Sequence, residues 1–223
     1  MYAGHFAVAL LFHSYFPEIN SFLFTFGVGL LDITFGMLAY FGIEGLTVNP
    51  NAGLLGVDLH CPFSHSLAGS FFISFLWGCM SMNGDLFLPL FLSSFSHFIQ
   101  DWFVHNRDLE LYPKSKIFIG GTGWWSKYPR GTYYFELILC ACCSIGTLRK
   151  NSNSLSFNMN GICLSLSIFY VFYLHYQRRA AASGQLAHMV KTIPQEKQGP
   201  MLFRAFMKSF IMPAVILGTL LYF

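Results

Sequence analysis

The run Ser96-His97-Phe98-Ile99-Gln100-Asp101-Trp102-Phe103-Val104-His105 places an imidazole, a carboxylate and a second imidazole at intervals of four residues. On a helix such steps drift by only about 40°, so His97, Asp101 and His105 project along one stripe. A histidine and an aspartate one turn apart can bind one metal ion or bridge two. They can equally be polar residues that hydrogen-bond inside a helical bundle.

Other residues of the same chemistry are scattered along the chain. His65 lies in Pro62-Phe63-Ser64-His65-Ser66-Leu67, where Ser64 is expected to cap a helix beginning near His65. The positive end of that helix favours neutral imidazole and nearby anions. His60 and Asp58 are just upstream, Asp32 interrupts the apolar run Phe22 to Phe41, His5 is on a short first helix, and Glu136 is a lone acid in Tyr133 to Leu148. Each alone is ambiguous, because a buried acid can be protonated or can join helices. Together they are acids and imidazoles on separate helices of one small bundle, a donor set that suits a transition metal.

The charge pattern sharpens this. Residues 1–106 hold six acids (Glu18, Asp32, Glu44, Asp58, Asp85, Asp101) and six histidines, with no lysine or arginine; all thirteen Lys and Arg follow. Asp32 and Asp101 sit in apolar runs, where a charged side chain costs at least ~3 kcal/mol at the centre of a hydrocarbon layer. Those carboxylates are protonated, reach the basic second half, or hold a cation.

The elements that position them are membrane helices. The chain is 54% apolar, 18% aromatic and only 10% charged, against about 25% charged in soluble domains. The fold class expected is all-α, a polytopic transmembrane bundle of five or six helices plus a short N-terminal helix over Gly4 to Tyr15 that ends at Pro17. The spans are Ile19 to Ile43, Ser66 to Met80, Leu86 to Val104, Tyr133 to Leu148, Gly161 to Tyr176 and Phe210 to Phe223. Several fall short of the ~20 residues that cross ~30 Å of hydrocarbon. No presequence is evident before Val8, so the first helix is expected to act as its own insertion signal. The cysteines, including the Cys140/Cys143 pair, read as small buried hydrophobes. Gly120-Gly121-Thr122-Gly123-Trp124-Trp125 lacks the lysine and flanking elements of a phosphate loop and fits an interfacial turn.

Three regions follow: a helical membrane unit over 1–146, a polar linker over 147–160 rich in Ser and Asn, and a C-terminal extension over 161–223 with two membrane helices. The stretch Arg178 to Ala182 reads as a helix leaving the membrane, and Pro200 precedes the last span. No internal repeat is present, which weakens a transporter reading. No nucleic-acid partner is expected.

Gly4 to about Leu139 resembles the family of predicted membrane-bound metal-dependent hydrolases. Its pattern is an N-terminal histidine, a proline-aspartate step, a serine-histidine-serine-leucine block and a histidine-x-x-x-aspartate helix. The matching residues are His5, Asp32, His65, and His97 with Asp101; Val104 to Pro113 and Glu136 are also similar. Leu31 stands where proline is usual. The family is distantly similar to zinc-dependent phospholipase C.

The resemblance implies a divalent metal, zinc before others, held by His5, Asp32, His65, His97 and Asp101, with His105, Asp108 and Glu136 as groups that orient the ligands or move protons. It implies hydrolysis of a phosphoester or lipid-type substrate, with membrane lipid as the partner. The alternative is a non-catalytic accessory subunit of a large membrane complex, built on the same scaffold and docked through its C-terminal helices.

Overall fold

The computed structural model describes residues 1–49, 51, 56–81, 84–152, 159–181 and 185–222. The described chain is mostly helical: α1 (Ala3–Tyr15), α2 (Ser21–Gly27), α3 (Leu30–Tyr40), β1 (Gly45–Val48), β2 (Val57–His60), α4 (Leu67–Cys79) and α5 (Gly84–Val104). Then come β3 (Leu109–Glu110), β4 (Phe118–Gly120), α6 (Trp124–Lys127), α7 (Pro129–Lys150), α8 (Met159–Ala181), α9 (Gln185–Thr192) and α10 (Gln195–Tyr222). Two small antiparallel hairpins, β1 with β2 and β3 with β4, interrupt the helices.

Among the described residues, three helices are long and apolar enough to cross a membrane: α7, α8 over Met159–Gln177, and α10. The continuous helix expected over 19–43 is instead two helices, α2 and α3, bent by 54°; together they qualify as one broken span. The glycines of Phe26-Gly27-Val28-Gly29 sit at the break, where helix propensity is lowest. Five or six spans therefore exceed what length and apolarity support.

Helix α5 is an instructive case. Its 21 residues bury Ser93, Ser94, His97, Gln100 and Asp101 while Leu88, Leu92, Ile99 and Phe103 are exposed. Its neighbour α4 buries Ser70 and Ser74 and exposes Phe71, Phe72, Phe75 and Leu76. Polar residues point in and apolar residues out, the reverse of a helix on a soluble protein.

The helices pack into one bundle. α1 lies against α7 and α8, α4 against α5, and α10 along α2 and α3. The main core collects Phe6 and Leu10 of α1, Phe24 of α2, Leu90 of α5, Val171 of α8 and Leu217 of α10. A second apolar cluster joins Phe35, Leu46, Val57, Leu59 and Leu202, with Trp125 packed on it. The polar site lies among the helices between these cores.

Several boundaries differ from the sequence expectations. α10 begins at Gln195 rather than near Phe210, and Pro200 lies inside its first turns. The basic, polar start of the helix hides it from an apolarity pattern. α7 continues through Thr147 to Lys150, the expected start of the linker, while 153–158 lies outside the described residues. α8 runs to Ala181, with Ala182 outside the described residues.

Candidate metal centre

His5 comes from α1, Asp32 from the first turn of α3, His65 from the turn before α4, and His97 and Asp101 from α5. His105 follows the end of α5, and Asp108 lies three residues further on. These residues, far apart in sequence, meet in one buried cluster. His5, His65, His97, His105 and Asp101 are buried, whereas the Asp32 and Asp108 side chains keep 13% and 16% exposure. The cluster therefore meets its surroundings at those two carboxylates.

Asp101 is the hub. Its Oδ1 is 3.5 Å from His5 Nε2, and its Oδ2 is 3.2 Å from His97 Nε2, 3.6 Å from His105 Nε2 and 3.9 Å from His65 Nε2. The Met1 amino group also contacts Oδ1. Asp32 faces the same centre, 3.4 Å from His97 Nε2 and 3.6 Å from His65 Nε2. Two triads have donor atoms within 4.8 Å of one another and can hold a metal ion: His5, His97 and Asp101, and Asp32, His65 and His97. The His5 and His97 rings stack at 3.7 Å with planes 4° apart.

Each of three imidazoles is held from behind. His97 Nδ1 lies 2.6 Å from the Val28 carbonyl, which can only accept, so Nδ1 carries the proton. That carbonyl sits at the α2–α3 break, so the break has a role in the site. His105 Nδ1 is 2.9 Å from Asp108 Oδ1. His65 Nδ1 is 2.7 Å from Ser64 Oγ, and the same hydroxyl donates to Glu44 Oε2 at 2.7 Å, so Ser64 is the acceptor for His65. The Nε2 lone pairs of neutral rings then aim at two carboxylates. Such an arrangement is repulsive unless protons or a cation stand between.

At His5 and His65 the titration tendencies agree with neutral rings. Burial, reinforced by neighbouring His97, holds His5 and His65 well below the usual histidine range, so both are neutral donors. Burial also works against a charged His105, yet the Asp108 carboxylate outweighs it and raises its pKa. Among the described residues, neither nitrogen of His5, nor Nε2 of His97, has a hydrogen-bond partner, an expensive state for buried atoms. The donor set, orphaned nitrogens and outer acceptors all fit a divalent transition metal.

Ser64 does not cap α4. Ser66 does, accepting from the Gly69 N–H at 3.2 Å, which leaves His65 in the preceding turn and frees Ser64 to link it to Glu44. Glu44 also accepts the N–H groups of Phe63 and Ser64 at 2.7 and 2.9 Å. Its carboxyl pKa is raised by burial, against those hydrogen bonds. Replacing Glu44 with Gln is expected to lower metal affinity about 10–100-fold with the fold retained. Competition with a chromogenic chelator measures this, and unchanged affinity would show that the relay does not tune His65.

Glu136 stands behind α1 rather than in the cluster. It accepts the Gly4 N–H at 3.3 Å, next to His5, and its Oε2 is 3.0 Å from His175 Nδ1. His175 comes from α8 and carried no signal in the sequence beyond being a lone histidine in an apolar run. Glu44 was likewise visible only as an acid at the end of a span. His60 bonds Thr47 and Asp58 bonds Asn49, so both serve the β1–β2 hairpin. No disulfide joins the cysteines among the described residues; Cys61, Cys140, Cys143 and Cys163 are buried as expected, whereas Cys79 and Cys142 are exposed. Burial, then the Asp108 charge, pushes the Cys61 thiol well up, which disfavours a thiolate ligand.

No family model, curated protein or solved structure is significantly similar to this chain.

Proposed function

We propose that this chain is a membrane-embedded, metal-dependent hydrolase of a phosphoester or lipid-type substrate, with zinc as its ion. One observation carries the reading. The Nε2 atoms of His65, His97 and His105 converge on Asp101 while a separate acceptor holds each Nδ1. A bundle that only satisfied its own polar groups would not need imidazoles and acids aimed at one point and braced from outside.

His5, Asp32, His65, His97 and Asp101 would hold the ion. Bound there, it supplies Lewis-acid polarisation of the scissile group and brings water within reach of ionisation near neutral pH. The protein's share is orientation and proton handling. Val28, Ser64 with Glu44, and Asp108 fix the tautomers of His97, His65 and His105. His105, with a raised pKa and Asp108 behind it, is the group placed to take a proton at Nε2 and return it to a leaving oxygen. Asp32, its side chain 13% exposed, is the ligand at the edge of the cluster.

The outward apolar faces of α4 and α5 support embedding this hairpin in the lipid as well, beyond the helices that qualify by length. On that basis the metal centre lies near one membrane surface, where a headgroup ester is within reach.

The test is metal content by mass spectrometry of the purified chain, beside His97→Ala, followed by a screen of phosphodiester and phospholipid substrates. Stoichiometric zinc, lost in the variant, with turnover of one substrate class is the expected result. Metal without turnover of any substrate would favour the accessory-subunit reading, and absence of metal from both proteins would remove the hydrolase.

A further inference from the structure

All five lysines and arginines of residues 1–146 fall between Arg107 and Arg130, in the segment that leaves His105. Among the described residues, ion pairs are made by histidines and the Met1 amino group, and none by a lysine or arginine. Lys127 and Arg130 are exposed. With Trp124, Tyr128, Pro129 and Gly131 they line a surface cavity of about 520 Å³.

The cavity has a definite place in the fold. It sits where α6 meets the first turn of α7, a helix able to cross a membrane. At such an end, tryptophan and tyrosine settle among headgroups, and basic side chains meet lipid phosphates. Below it, Arg130, Tyr134 and Ile138 recur every four residues on one face of α7, and all are exposed. An apolar track therefore descends from the cationic rim. The same short helix joins the cavity to the metal centre. Trp125 lies 4.1 Å from the His105 ring, and Ser126 donates to Asn106 Oδ1 at 2.6 Å.

We propose that this cavity seats the anionic headgroup of a membrane phospholipid. Lys127 and Arg130 pair with its phosphate, Trp124 and Tyr128 flank it, and an acyl chain follows Tyr134 and Ile138. Two cations with no carboxylate partner among the described residues favour a net negative headgroup and repel the quaternary ammonium of a zwitterionic one. The assignment of this lipid as substrate rests on the hydrolase reading; the lipid site itself does not.

The experiment is calorimetric titration of the full chain in detergent, its metal content measured in the same preparation. The probes are dihexanoyl-phosphatidylglycerol, dihexanoyl-phosphatidylcholine and glycerol 1-phosphate. The phosphatidylglycerol is expected to bind at least about tenfold more tightly than the other two. Lys127→Gln with Arg130→Gln should abolish the preference, and the charge-conserving pair Lys127→Arg with Arg130→Lys should keep it. Equal binding of the two lipids, or an unchanged preference in the neutral variant, would overturn the site. Glycerol 1-phosphate binding as tightly as phosphatidylglycerol would overturn the lipid assignment in favour of free phosphate. A metal-free chain that retains the preference supports the lipid site and removes the hydrolase, whereas a metal-loaded chain without it overturns the lipid site and leaves the hydrolase reading to the substrate screen.

Discussion

Replacing Asp101 with asparagine is expected to lower metal affinity by more than about 100-fold, beyond what losing an outer partner of a ligand costs. The substitution conserves shape, so the loss reads charge and donor chemistry. Both Asp101 oxygens are in use, one toward His5 and the other toward His65, His97 and His105. An amide offers one oxygen and turns an N–H₂ group toward imidazole nitrogens or the ion. Mass spectrometry of zinc content with a chelator competition measures the effect. Near-wild-type zinc in a folded Asp101→Asn protein would mean that the ion is held elsewhere, and the proposed centre would be wrong.

The same helix explains why the cluster was legible in the sequence while its surroundings were not. His97 and Asp101 stand out because a carboxylate and an imidazole inside an apolar run have no solvent to face, and their spacing fixes which side of α5 they share. Those same residues lower the hydropathy of α5, so an apolarity test passes over the helix that carries most of the site. The Val28 carbonyl that holds His97 was hidden, because backbone groups carry no sequence signature and the break between α2 and α3 reads as one apolar run. The Glu44, Ser64 and His65 chain was hidden for another reason. A serine before a helix looks like a cap, and only the tertiary approach of Glu44 gives it a different partner. In the C-terminal third, the length of α10 was obscured by the polar residues of its first turns, which are helical without being apolar.

His175→Ala is expected to destabilise the protein by about 3–5 kcal/mol, the usual consequence of removing one member of a buried pair. Glu136 and His175 are both buried, and each is anchored in a helix able to span the membrane, α7 and α8. The remaining Glu136 oxygen accepts from Gly4, one residue before His5, so the pair braces the turn of α1 that presents an imidazole to the metal centre. α10 adds a second tie from the same part of the chain, packing along α2 and along α3, the helix that carries Asp32. The last third is thus joined to the site at two places, which a detachable docking extension would not require. Denaturation midpoints in mixed micelles for His175→Ala, Glu136→Gln and the double variant form the test. The double variant should lose less than the sum of the singles, because Glu136→Gln removes the carboxylate that loses its imidazole in His175→Ala. Additive losses would mean that the two side chains do not act as a pair, and the bracing of His5 would then have to come from the Gly4 contact alone.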